Sequence, residues 1–102
     1  MAIRDALRII PAEATGLYRL RVPEQAELLS IGQGNVQARL SAHLGKVGQP
    51  SLRQGSVFAE AMECSWVVGS SWWPHQRLEL ENDLIAAYVL STGTIPHAQF
   101  IG

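Results

Sequence analysis

The sequence predicts a small α/β domain of the α+β kind: one three-stranded antiparallel sheet flanked by helices, in the order β-β-α-(α)-β-α. Three observations lead there. Two alternating apolar segments lie close together near the start, a helical stripe follows them, and a third apolar segment precedes a long amphipathic stretch. The chain has 102 residues, the size of one compact domain, so positions 1-102 are read as a single unit.

Ala2 to Ile10 places Ile3, Leu7 and Ile10 at the spacing of one helical face, and Pro11 ends the run; a short helix or an extended lead-in would both fit. Gly16 to Val22 alternates, with Tyr18, Leu20 and Val22 on one side and Leu17, Arg19 and Arg21 on the other, which is a strand pattern. Residues 23–26 form a tight connection to a second strand, Glu27 to Ile31, so the two strands make an antiparallel hairpin. Gly32-Gln33-Gly34-Asn35 breaks the pattern, and Asn35 suits the N-cap of a following helix. That helix, Val36 to Leu44, carries Val36, Leu40 and Leu44 on one stripe and stops at Gly45. Residues 45–56 are rich in Gly, Gln, Ser and Pro and read as a loop with a short helix inside. Ala61 to Val68 is the third strand, with Trp66 in the core. Ser70-Ser71 are taken as the cap of a last helix that tolerates Pro74 in its first turn, runs to about Leu90 and ends at Gly93.

Composition narrows the function classes. The chain is 47% hydrophobic and 17% charged, enough to bury a core, and no apolar run is long enough to cross a bilayer. Arg4, Asp5 and Arg8 interrupt any signal-peptide pattern, and the single cysteine, Cys64, flanked by apolar neighbours, reads as a buried thiol. A cytoplasmic protein is expected. Eight Lys and Arg stand against nine Asp and Glu, a formal net charge of −1. That balance argues against a strong independent binder of a polyanion, and assigns any such binding to a local patch or to another chain or domain.

The last helix holds the residue that most needs explaining. At 100° per residue, Leu78, Leu84, Ile85 and Tyr88 form an apolar stripe with Glu81 near its centre, whereas Glu79 and Asp83 fall on the solvent side. A carboxylate on a core-facing stripe is unfavourable unless paired, hydrogen-bonded or bound to a metal. A structural ion pair with an arginine and a metal ligand are both open at this point. On the earlier helix Arg39 borders the apolar stripe with His43 one turn further on, and an arginine's planar fork suits a phosphate. Arg39 could equally lie on the surface with only its stem packed.

Gly16-Leu17-Tyr18 and, eleven residues later, Ser30-Ile31-Gly32 resemble the paired tripeptides of the GIY-YIG nuclease family. The segment from Gly32 to Leu44 is similar to that family's polar turn and arginine-bearing helix, often with a histidine one turn later. Leu80-Glu81-Asn82-Asp83-Leu84-Ile85 is similar to its E-x-x-L-I helix. Together these cover Thr15 to Phe100 in the family's order of elements.

The resemblance implies DNA phosphodiester hydrolysis assisted by one divalent cation, usually Mg2+. It makes Glu81 the metal ligand, Arg39 the residue that offsets charge on the scissile phosphate, and Tyr18, with His43, the group that positions or deprotonates the attacking water. Gly16, Ser30, Gly32 and Gln33 would line the substrate. The chain departs from the family where Ser30 replaces the tyrosine of the second tripeptide. It departs again near the C-terminus, where many members have an asparagine and this chain offers His97 or Gln99. A second expectation therefore stands beside the nuclease: a catalytically degenerate GIY-YIG-like module that binds nucleic acid or protein, with a Glu81–Arg39 ion pair closing the groove. DNA binding is expected to be weak or structure-dependent alone, with a partner protein or second DNA-binding domain supplying the rest. Trp72 and Trp73 begin the last helix, where either both close the core or an exposed one stacks on a base or marks a protein interface.

Overall fold

A computed structural model describes residues 1–23, 27–47 and 62–99. The order of elements is α1 (Ile3–Ile9), β1 (Thr15–Arg21), β2 (Leu28–Asn35), α2 (Val36–Gly45), β3 (Glu63–Val68) and α3 (Pro74–Thr92). The three strands form one antiparallel sheet in the order β2-β1-β3, which is the architecture expected. Most of the expected tight connection, 24–26, and most of the expected loop with its short helix, 48–56, lie outside the described residues, as do 57–61.

The opening segment is a helix, with Ile3 and Ala6 buried and Ile10 closing its last turn through Ala6 O. β2 corrects the expected boundary. It runs four residues past Ile31, because β1 offers partners for all of them: Tyr18 opposite Gly32, Leu17 opposite Gln33, Gly16 opposite Gly34 and Thr15 opposite Asn35. Continuing the ladder satisfies backbone groups that a turn would leave to solvent, and this outweighs the low strand propensity of glycine. Of the two glycines in this extension, Gly34, at φ +121°, uses conformational freedom that other residues rarely have. Asn35 then caps α2 as expected, its Oδ1 accepting from Ala38 N at 2.9 Å while Nδ2 donates to Ala12 O.

The start of α3 is a second correction. Ser70 and Ser71 lie in the preceding turn; the N-cap is Trp73, whose N–H donates to Gln76 Oε1 at 2.8 Å, and Pro74 takes the first helical position. Gly93, left-handed at φ 78°, ends the helix as expected, its N–H reaching Val89 O.

Antiparallel partners point to the same side of a sheet, so the pairing register separates its two faces. Tyr18, Leu20, Gly32, Ser30, Cys64 and Trp66 share one face. There Tyr18, Leu20 and Cys64 pack with Ile3, Ala6, Val36, Leu40 and Met62 into the main core, and Trp66 packs half-buried against it. Leu17, Arg19, Ile31, Gln33, Ser65 and Val67 share the other face, which α3 covers chiefly along β2: Tyr88 Oη accepts from Leu28 N at one end and Arg77 Nε donates to Gln33 Oε1 at the other. The uncovered part leaves a groove of ≈ 540 Å³ between Leu17, Ile31 and Val67 of the sheet and Leu84 and Ala87 of α3.

The predicted α3 stripe is therefore only partly a core face. Ile85 is buried, but Leu78 and Leu84 remain 49% and 45% exposed, because one helix cannot span a three-stranded face. Beyond α3 the chain returns along the outer edge of β2. His97 N and Ala98 N donate to Leu28 O and Leu29 O, and the Gln99 side chain bonds both Ile31 N and Ile31 O. An open strand edge is thereby closed by three consecutive residues. Among the described residues no helix is long and apolar enough to cross a membrane.

Candidate active site

Tyr18 lies on β1, the middle strand, so a ladder on each side fixes its backbone. It is almost fully buried, and its phenol lies over Gly32 on the neighbouring strand. A Cβ at Gly32 would meet the phenol oxygen at 2.2 Å, so the seat exists only because position 32 has no side chain. α2 brings His43 to the same place: its Nε2 lies 2.6 Å from Tyr18 Oη, with the two rings tilted by 59°.

Burial is the largest influence on both groups. It pushes the Tyr18 hydroxyl up to about 12, opposed by Arg39 and reinforced by Glu81. It pulls the His43 imidazole down to about 4, helped by Lys46 and Arg39. At neutral pH the pair is thus an uncharged phenol and an uncharged imidazole sharing one hydrogen bond. The field on Tyr18 also shows what has converged. A cation from α2 and a carboxylate from α3 both act on a phenol from the centre of the sheet.

Glu81 is half-buried rather than fully inside, and burial raises its carboxyl above the usual range while Arg39 opposes the shift. Arg39 is exposed, its Nε donating to Gln33 O at 3.3 Å. Among the described residues Glu81 and Arg39 form no ion pair, so the contact expected of a closed groove is not made. Among those residues no three His, Cys, Asp or Glu side chains gather as a ready metal cage. A single half-desolvated carboxylate fits a cation that keeps water and phosphate oxygens in its other positions, which is the habit of magnesium.

The remaining expected residues divide. Gly32 seats the phenol. Ser30 is buried, opposite Leu20 and two positions along β2 from Gly32, on the phenol's face of the sheet. Gly16 permits close approach of β3, since a Cβ there would lie 1.9 Å from Val67 O. Gln33 is engaged twice, its carbonyl by Arg39 and its side chain by Arg77. Arg77 was absent from the sequence reading, although it stands one helical turn before Glu81 and that spacing could have found it. Neither C-terminal candidate joins the group: His97 pairs with Glu27, and Gln99 is held by Ile31. Of the two tryptophans, Trp72 packs over Gly69 and Trp73 is 67% exposed.

A comparison with protein-family models gives no match, and one with curated proteins gives none either. Among solved structures, the chain is similar to the GIY-YIG N-terminal endonuclease domain of UvrC from Thermotoga maritima. The two share 21% identity at a TM-score of 0.54, over 84% of this chain and 88% of that one. The chain has the GIY-YIG fold. That UvrC domain was solved as a tyrosine-to-phenylalanine point mutant bound to the catalytic divalent cation. Within the GIY-YIG fold of the present chain, the two tripeptides occupy β1 and β2, Arg39 and His43 lie on α2, and Glu81 on α3.

Proposed function

We propose that the chain is an endonuclease domain that hydrolyses DNA phosphodiester bonds with one divalent cation, Mg2+ in the cell, held by Glu81. The 2.6 Å contact between Tyr18 Oη and His43 Nε2, in the joint field of Arg39 and Glu81, carries the reading. A hydroxyl pushed to about 12 cannot be stored as tyrosinate at neutral pH. Tyr18 must release its proton to His43 Nε2 as its oxygen takes one from the attacking water. The incoming phosphate favours the imidazolium that results, because a nearby anion raises an imidazole's affinity for a proton. Arg39, beside this pair, offsets negative charge on the phosphate with the outer ends of its fork. The water oxygen bonds to phosphorus, the ester P–O bond breaks, and the departing alkoxide is protonated from solvent. A cation bound at Glu81 supplies polarisation of the phosphate and a lower pKa for the water. Gly16, Ser30 and Gln33 shape the floor of the site rather than react.

The test is cleavage of supercoiled, branched and single-stranded DNA in magnesium by wild type and by Glu81→Ala. Cleavage by wild type alone is expected; equal cleavage by both would overturn the assignment. Buried Ser30, standing where the second tripeptide usually has tyrosine, favours a second reading: a degenerate module that binds nucleic acid or protein without cutting. Magnesium-independent DNA binding with no nicking would establish it. With a formal net charge of −1, either version depends on a partner protein or a further DNA-binding domain for tight binding, and a cytoplasmic setting suits both.

A further inference from the structure

Arg77 and Arg39 come from different helices, yet both are tied through Nε to the same residue. Arg39 Nε donates to the Gln33 carbonyl at 3.3 Å, and Arg77 Nε donates to the Gln33 side-chain oxygen at 3.2 Å. Arg77 is anchored a second time, Nη1 donating to Trp72 O at 3.3 Å. Among the described residues its Nη2 has no partner, and the outer ends of the Arg39 fork have none. Two planar cations are thus held from behind by one glutamine with donors left over.

Its hydrogen bonds brace α3, but the charge of Arg77 has no evident benefit to stability where it stands. It lies in the first turns of a 19-residue helix whose first turn contains no acidic residue, so it adds positive charge at the positive end of the helix dipole. Glu81, one turn further along, makes no ion pair with it among the described residues. An arrangement that concentrates positive charge and immobilises it is suited to an anion arriving from outside.

We infer that Arg77 is a second phosphate-holding arginine, taking the DNA phosphodiester adjacent to the one that Arg39 contacts, with Gln33 fixing the spacing between them. This rests on the nuclease reading. Arg77 binds substrate and sets its register, and takes no proton.

The test measures binding of a fluorescein-labelled DNA duplex in EDTA by anisotropy, over a series of salt concentrations, for wild type, Arg77→Gln and Arg77→Lys. Arg77→Gln is expected to weaken binding about tenfold and to reduce the slope of log K against log[salt] by about one. In magnesium, KM rises while kcat at saturating DNA holds. Arg77→Lys keeps the charge while losing the forked contacts to Gln33 and Trp72, so it should lower the melting temperature yet preserve the wild-type salt slope. A residue that merely braced α3 would give an unchanged slope in Arg77→Gln, and that result overturns the inference while leaving the nuclease intact. If Arg77→Gln does not fold, a reduced slope in Arg77→Lys overturns it equally. A wild-type protein that binds no DNA removes both readings.

Discussion

The hydroxyl of Tyr18 and Nε2 of His43 meet at 2.6 Å across the interface between the sheet and α2, although the residues stand 25 apart in the chain. Tyr18→Phe keeps the ring over Gly32 and removes the proton relay. Cleavage should fall about 10²–10⁴-fold with DNA affinity unchanged, measured by single-turnover nicking beside anisotropy binding. His43→Ala should fall by a similar factor, and the double variant by no more than the worse single one, since the two act as a unit.

Stability should respond to acid through His43. Its imidazole sits at about 4 when folded against an ordinary 6.5, so between those values the unfolded chain binds more protons. The His43 contribution is present above pH 6.5 and is lost as pH falls toward 4. Glu81, raised in the folded state, acts in the opposite direction over part of that window. Urea melts from pH 7 to 4 should show a steeper loss in wild type than in His43→Gln, and a curve of equal slope would refute the buried neutral imidazole.

A methyl group at position 32 would collide with the phenol at 2.2 Å. Gly32→Ala should therefore cost about 1–3 kcal/mol of stability and, by displacing the Tyr18 oxygen, about 10²-fold in cleavage. Thermal melts and nicking rates on the same preparation check both. Full activity would show that the phenol has a second acceptable seat.

Glu81 is a half-buried carboxylate with no ion pair among the described residues. Glu81→Gln should raise the melting temperature of the metal-free protein slightly, since burial disfavours the charged carboxylate, while abolishing cleavage. Magnesium should raise the melting temperature of wild type and leave that of Glu81→Gln unmoved.

Gln99 tests the edge of β2. Gln99→Leu leaves the buried Ile31 N–H without its partner and should cost about 1–3 kcal/mol by denaturant melts. Cleavage below the melting temperature should persist, because Gln99 serves the strand and not the phosphate.

What the sequence made legible followed its periodicities. Alternation located β1, the stripe through Val36 and Leu40 located α2, and helical spacing isolated Glu81 before any likeness to a family was drawn. The resemblance grouped Tyr18, Arg39 and His43; Tyr18 Oη meets His43 Nε2 at 2.6 Å, and Arg39 stands on the same helix as His43. Legibility failed wherever a distant partner decided the outcome. Gly32 and Gly34 look like a break until the length of β1 is available to pair with them. Leu78 and Leu84 look like core until α3 is seen to lie chiefly along β2, leaving both about half exposed. Gln99 was weighed as part of the site, yet its amide is occupied by a strand edge 68 residues away. The link from Gln33 to Arg77 spans 44 residues and carries no local signature.

The bare surface of Gly32 also bears on motion. A phenol resting on backbone, flanked by paired strands and held at its tip by an imidazole, has little rotational freedom left to surrender when substrate arrives. Its ordering belongs to folding rather than to each turnover. On this account Tyr18 is the stationary member of the group, and its place is set before any substrate arrives.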